Sequence, residues 1–87
     1  MKIEKILIED RIKEKILYEH KIRASEIKEV LLDNPYVLKT RENRYLAIGF
    51  CNRFITIVFE MAGGTAFIIT AYPSSDTQRK LYKLKRK

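Results

Sequence analysis

The sequence has little cysteine, histidine or proline, and it contains no long apolar run. Its one cysteine, Cys51, excludes an internal disulfide, and one cysteine with one histidine leaves too few ligands for a Cys- or His-rich metal site. The first eight residues carry charges where a signal peptide has its apolar segment, and no stretch reaches the length of a transmembrane helix. The sequence therefore predicts a cytoplasmic protein without a bound metal, a cofactor or membrane contact.

With 87 residues, the chain is long enough for one domain with one hydrophobic core, and we expect residues 1–87 to form it. Hydrophobic residues make up 46% of the chain and charged residues 33%, a balance typical of globular proteins. The many Ile, Lys and Glu residues favour a thermophilic source.

The positive charge is concentrated in a basic C-terminal tail. Residues 1–78 hold twelve Lys and Arg against eleven Asp and Glu, whereas residues 79–87 add six basic residues and raise the net charge to +7. Such a segment attracts a polyanion or an acidic protein, and added salt weakens the attraction. The alternative is a solvated terminus that only raises solubility.

Two apolar runs, residues 54–59 and 66–71, flank Gly63-Gly64. Glycine permits the positive φ of a tight turn, so these runs predict a β-hairpin. Because both runs are apolar at nearly every position, we expect the hairpin to lie in the middle of a sheet with both of its faces covered.

The residues before this hairpin predict an edge strand and two helices. Residues 1–8 alternate well enough for an edge strand, although a helix is the competing interpretation. Asp10 is predicted to cap a first helix that ends near His20. Ser25 is predicted to cap a second helix that ends before Pro35.

Two further strands and a last helix complete the predicted order. Residues 36–40 and 44–50 are strand-like and flank a polar turn. Ser75 and Gln78 have the spacing of a capping box that opens a final helix. The resulting order, β-α-α-β-β-β-β-α, predicts an α+β domain with a mostly antiparallel sheet. Two leucines are expected to dock the final helix, Leu81 and Leu84.

Six short motifs occur in order between residues 12 and 82. They are Glu19-His20, Asn34-Pro35, Arg44-Tyr45-Leu46-Ala47-Ile48-Gly49, Arg53-Phe54-Ile55, Ile68-Ile69-Thr70-Ala71 and Arg79-Lys80-Leu81-Tyr82. The ordered series resembles the BrnT family, ribonuclease toxins with a RelE-related fold. In two places the chain differs from that family. Tyr72 stands where members usually have Arg, and a charged Ile-rich strand replaces their Trp-containing opening.

The resemblance implies a RelE-like α+β fold and a metal-independent endoribonuclease, an mRNA interferase of a type II toxin-antitoxin pair. Its partners would be RNA and a cognate antitoxin that neutralises it, in a toxin-antitoxin hetero-oligomer or as a homodimer. The alternative hypothesis is a catalytically inactive RelE-like fold that binds nucleic acid or protein through the basic tail. A structural or regulatory subunit is the third hypothesis.

RNA cleavage without a metal needs a base for the 2′-hydroxyl, positive charge at the phosphate and an acid for the leaving 5′-oxygen. His20 is the candidate acid or base, because histidine has an unperturbed pKa near neutrality. Its alternative role is packing at a helix end. Arg44 and Arg53 are predicted to lie on one face of the sheet and clamp the scissile phosphate. Their alternative role is that of solvated arginines at strand ends.

Tyr72 is the fourth candidate catalytic residue, as a hydrogen-bond donor or a stacking platform, and its alternative role is half-buried core. Cys51 lacks an activating neighbour in the sequence and is predicted to fill a small apolar space. The predicted RNA-binding residues lie on the final helix and the tail that follows it, namely Arg79, Tyr82, Lys83, Lys85 and Arg86.

Overall fold

A computed structural model describes residues 2–85 of the protein. Within this range, no helix is long and apolar enough to cross a membrane. Met1, Arg86 and Lys87 lie outside the described residues, and with them the start of the predicted first strand and the assignment of Arg86 to RNA binding. Residues 2–85 form five strands and three helices: β1 (Lys5–Leu7), α1 (Asp10–His20), α2 (Ala24–Leu32), β2 (Tyr36–Arg41), β3 (Arg44–Phe50), β4 (Phe54–Ala62), β5 (Thr65–Pro73) and α3 (Asp76–Lys85).

The described strands form one sheet in the order β1-β5-β4-β3-β2. Strands β2 to β5 are an antiparallel meander, and β1 adds to β5 in parallel, with Lys5 opposite Thr65. The predicted order of elements and the α+β class are confirmed. β1 is the predicted edge strand, and the competing helical interpretation of these residues is wrong.

The Gly63-Gly64 turn joins β4 to β5 as predicted. The two glycines have φ values of 55° and 84°, a pair of left-handed conformations that side chains with a Cβ adopt only at a cost. The carbonyl of Gly64 accepts a hydrogen bond from the backbone N–H of Glu4 at 2.8 Å. The turn therefore also anchors the chain just before β1.

Helices α1 and α2 cover one face of the sheet and enclose the core with it. Alternate residues of β4 point to this face, and all three of Ile55, Ile57 and Phe59 are buried. On the opposite face, Thr56 is fully buried near α3. Val58, two residues further along β4 on the same face, is only half-buried. The expectation that both faces of the hairpin are covered therefore holds only at the end of the sheet near α3.

The first two helices begin one or two residues away from the predicted capping residues. Glu9 is the N-cap of α1, so Asp10 is the first helical residue and not the cap. Arg23 is the N-cap of α2, and its backbone N–H donates to the Glu26 carboxylate at 2.9 Å. The assignment of Ser25 as the cap is wrong, because Ser25 lies within the first turn of the helix.

The capping box that was predicted to open α3 is confirmed. The backbone N–H of Gln78 donates to the Ser75 hydroxyl at 3.2 Å. In return, the backbone N–H of Ser75 donates to Gln78 Oε1 at 2.9 Å. The two residues thus satisfy two backbone donors that would otherwise lack a partner at the helix start.

The predicted docking of α3 is only partly correct. Leu81 is half-buried, but Leu84 is 63% exposed and does not dock the helix. Tyr82 takes that role, since its ring packs edge-on against Phe54 with 5.5 Å between the ring centroids. The rotation of α3 about its axis is therefore set by an aromatic contact with β4.

Candidate active site

His20 and Tyr72 meet at one end of the sheet. His20 is the last residue of α1, and Tyr72 lies near the end of β5. Their ring centroids are 6.5 Å apart, and the rings are tilted by 58°. Because β1 pairs only with the first residues of β5, the described chain leaves the later part of β5 with a free edge. Both side chains are half-buried, so a ligand can reach them.

The hydroxyl of Tyr72 is oriented by Gln78. Since Gln78 Oε1 accepts from the Ser75 backbone at 2.9 Å, the other terminal atom, Nε2, is the donor. Nε2 donates to the Tyr72 hydroxyl oxygen at 3.1 Å. The Tyr72 oxygen therefore acts as an acceptor toward Gln78, and its own proton remains available for a further acceptor.

Thr56 and Ser74 hold Gln78 in place from the sheet side. The Thr56 hydroxyl donates to Gln78 Oε1 at 2.9 Å. Because this uses the single Thr56 proton, Ser74 is the donor in the 2.7 Å hydrogen bond between the two hydroxyls. Apart from the capping role of Gln78, no sequence pattern predicts this network. It depends on the pairing of β4 with β5, which places Thr56 opposite Tyr72.

The structure separates Arg44 from Arg53. Arg44 is paired with Glu60 across β3 and β4, and Arg53 precedes β4 at its other end, about 23 Å away by strand geometry. Arg44 Nε and Nη2 both donate to Glu60 Oε2, at 3.2 and 2.8 Å. The prediction that the two arginines clamp one phosphate from one face is wrong, because the antiparallel register places them at opposite ends of β4.

Arg53 contacts the loop that follows His20. Its Nη2 donates to the carbonyl of Lys21 and lies 3.3 Å from Glu26 Oε1. Lys21 itself has a left-handed backbone with a φ of 58°, which ends α1 directly after His20. Arg53 therefore ties the backbone beside His20 to the start of β4 and to α2.

The predicted RNA-binding residues within the described range all lie on α3. Arg79 forms an ion pair with Asp76 on the exposed side of the helix. Tyr82 packs on Phe54, and Lys83 Nζ lies 5.7 Å from the centroid of the same ring. Lys85 is exposed in the last turn. Arg79 thus stands apart from the aromatic contacts that Tyr82 and Lys83 share.

Cys51 is buried, but it is more than an apolar filler. Its Sγ donates to Glu29 Oε2 at 3.0 Å. This hydrogen bond, burial and the negative charges of Glu29 and Glu26 raise the pKa of the Cys51 thiol to about 11, although Arg53 opposes the shift. The thiol is therefore protonated near neutral pH and is a poor nucleophile.

We expect Cys51 to make the folded state less stable in alkaline solution. Its folded-state pKa of about 11 lies above the ordinary value of 9.0, so the folded protein retains a proton that the unfolded chain releases between these pH values. The stabilisation is complete below pH 9 and is lost as the pH rises through 11, a change of about 3 kcal/mol. Urea unfolding across this range should show a steeper loss in the wild type than in Cys51→Ala. Parallel curves would contradict the expectation.

Comparisons with known proteins identify the fold. No protein-family model matches the sequence, and no curated protein matches it significantly. The structure is similar to the crystal structure of the Brucella abortus ribonuclease toxin BrnT, at 1.1 Å resolution, with a TM-score of 0.70 and 22% sequence identity. The matched region covers 83% of this chain and 97% of the toxin. The RelE-like α+β arrangement implied by the motifs is confirmed, and the chain has the fold of the BrnT toxin.

Proposed function

We propose that the protein is a toxin-type endoribonuclease that cleaves RNA without a metal ion, with His20 and Tyr72 in its active site. The observation that carries this proposal is the meeting of His20 with a tyrosine whose hydroxyl is oriented by Gln78. The fold supports it, because the similar structure is that of a ribonuclease toxin.

In the proposed reaction, the 2′-oxygen of one nucleotide attacks the adjacent phosphorus and expels the 5′-oxygen of the next. His20 accepts the proton of the 2′-hydroxyl as general base. Tyr72 directs its proton to the leaving 5′-oxygen, since Gln78 already occupies an acceptor site on the phenolic oxygen. His20 then releases its proton to solvent, and Tyr72 regains a proton from solvent. The products are a 2′,3′-cyclic phosphate and a 5′-hydroxyl.

Arg53 is proposed to position His20 instead of binding phosphate. Its guanidinium is bonded to the Lys21 carbonyl and paired with Glu26, so it fixes the backbone directly after His20. Arg44 has no proposed part in the reaction, because it is paired with Glu60 at the far end of β4.

A groove between α1 and β5 offers a path for the RNA backbone toward His20. Its volume is about 560 Å³, and Arg11, Lys15 and Glu19 of α1 line it together with Thr70 of β5. Two cations here and the basic residues of α3 attract a polyanion, and the attraction weakens with salt. One of the residues that line the groove, Glu19, is the sequence neighbour of His20.

A cognate antitoxin is the proposed protein partner, by the likeness to a toxin. The second candidate function is nucleic-acid binding without catalysis. It is favoured by α3, in which no described residue is fully buried and whose last turn carries Lys83 and Lys85. That helix can bind a polyanion whether or not His20 and Tyr72 catalyse a reaction.

The proposal is tested by incubating the protein with a long RNA in the presence of a chelator. We expect fragments that end in 2′,3′-cyclic phosphate, a strong loss of cleavage in Tyr72→Phe, and retention of cleavage in Arg44→Ala as the matched control. RNA binding that depends on the α3 cations, without any cleavage by the wild type, would instead establish the binding function.

A further inference from the structure

Three aromatic rings and a lysine form an open groove beside α3. The groove is lined by Phe50, Phe54, Tyr82 and Lys83, and its volume is about 330 Å³. The Phe50 and Phe54 rings meet edge-on at 5.1 Å between centroids, and Phe54 and Tyr82 meet in the same way at 5.5 Å. We refer to these four residues as the aromatic groove.

The aromatic groove is not needed to close the main core. The core cluster lies between the sheet and the helices α1 and α2, on the opposite face from Phe54. Phe50 ends β3 and is 52% exposed, although burial of an aromatic ring stabilises a folded protein. Within the described residues, the open face of the Phe50 ring is thus available to a ligand.

The chemistry of the aromatic groove suits a nucleotide with an unpaired base. Proteins bind single strands by combining aromatic platforms for the bases with cations for the phosphates. Phe50 provides the platform, and Lys83 Nζ, 5.7 Å from the Phe54 ring, provides a positive charge at its side. The charge of the region favours a polyanion, since α3 carries four basic residues against Asp76: Arg79, Lys80, Lys83 and Lys85.

The aromatic groove lies on the same face and at the same end of the sheet as Tyr72. Tyr72 is opposite Thr56, and Phe54 is two residues from Thr56 on the same strand. Strand geometry therefore places the Cα atoms of Phe54 and Tyr72 about 8 Å apart, and the Cα atom of Phe50, one strand further, about 12 Å from Tyr72. A nucleotide next to the cleaved one can span these distances.

We propose that the aromatic groove is a base-binding subsite. In it, an unpaired base stacks on Phe50 while Lys83 contacts the adjacent phosphate. The inference deepens the proposed function, on which it rests, by specifying single-stranded RNA as the substrate. A base within a duplex stays stacked on its neighbours and is not presented to the ring. Because every base has a π-face, the subsite selects strandedness and tolerates different sequences.

A tryptophan at position 50 provides a direct measurement. The chain contains no tryptophan, so Phe50→Trp introduces a single reporter that keeps the stacking surface. We expect its fluorescence to be quenched by a single-stranded oligoribonucleotide and to be unchanged by an abasic ribose-phosphate oligomer of equal length. Equal responses to the two oligomers would overturn the proposal, because they would show that only the backbone is bound.

Truncation of the ring measures its contribution to affinity. Phe50→Ala should raise the Kd for the single-stranded oligomer by about 5- to 150-fold and leave the Kd for the abasic oligomer unchanged. Leu32→Ala is the matched control, since Leu32 is an apolar side chain that is 69% exposed on α2. If Phe50→Ala binds both oligomers as the wild type does, Phe50 is not a stacking platform and the proposal fails.

The subsite and the nuclease can fail separately. If Phe50→Ala cleaves RNA at the wild-type rate, the proposed nuclease activity is supported and the proposed subsite is contradicted. If the single-stranded oligomer alone quenches the fluorescence of Phe50→Trp but the wild type cleaves no RNA, the subsite is supported and the nuclease activity is contradicted. A change of oligomeric state in Phe50→Ala, with RNA affinity unchanged, would assign the ring to a protein interface and overturn the proposal.

Discussion

Replacing His20 with glutamine is expected to lower the rate of RNA cleavage by about 10²–10⁴-fold, the usual contribution of a general acid or base. Glutamine retains hydrogen-bonding atoms but cannot accept the proton of the 2′-hydroxyl. Among residues 2–85, His20 makes a ring contact with Tyr72 alone, so we expect the free energy of unfolding to change by less than about 1.5 kcal/mol. Single-turnover cleavage and urea unfolding of the same preparation measure the two effects.

Glu14→Gln is a matched control for this variant. Glu14 is exposed on the same helix and lies away from β5, so its replacement should leave cleavage unchanged. The double variant of His20→Gln and Tyr72→Phe should be about as slow as the slower single variant, because groups that act in one step are not additive. Cleavage by His20→Gln at the wild-type rate would show that another group takes the proton.

The second large effect is expected from Gln78→Glu, an isosteric change. The new carboxylate still accepts from the Ser75 backbone and from Thr56, but it has no hydrogen to donate to Tyr72. The Tyr72 proton then turns toward the carboxylate and away from the substrate. Losing a positioned donor typically costs about 10²–10³-fold in rate, and we expect a loss of this size in single-turnover cleavage.

Stability distinguishes this effect from damage to the fold. Glutamate is a natural third residue of a capping box, and negative charge near a helix N-terminus is favourable, so Gln78→Glu should unfold no earlier than the wild type. Gln78→Met, which removes both the cap and the donor, should be slow and also less stable. If Gln78→Glu cleaves RNA as fast as the wild type, the orientation of Tyr72 has no part in the reaction.

Local patterns were sufficient for much of the fold. The bounds of β3, Arg44–Phe50, follow from its apolar run and its polar flanks, and the Gly63-Gly64 turn follows from the backbone freedom of glycine. The capping box of α3 is likewise encoded within four residues. These features depend on neighbours in the sequence, so no knowledge of tertiary packing is needed to find them.

The arrangement of the site depends on contacts that the sequence does not display. Both Arg44 and Arg53 begin strand segments, and only the antiparallel register shows that they lie at opposite ends of β4. Gln78 is recognisable as a capping residue, but its bond to Tyr72 requires α3 to fold back over β5. His20 is suggested by its titratable ring and its motif, and Tyr72 by its place in the motif series, but only packing shows that the two rings meet.

The pairing of β1 with β5 has a consequence for how the chain folds. Lys5 lies beside Thr65, a separation of sixty positions, so the sheet is completed only after nearly the whole chain has left the ribosome. Such long-range pairing slows folding, because the entropy cost of closing the loop comes before the stabilising contacts between the strands form. His20 is synthesised early, but it meets Tyr72 only once β5 has emerged, and Tyr72 gains its hydrogen bond from Gln78 only once α3 has emerged. A nascent chain that still lacks α3 therefore has Tyr72 without the Gln78 hydrogen bond that orients it, so the candidate site is assembled only after α3 has been made.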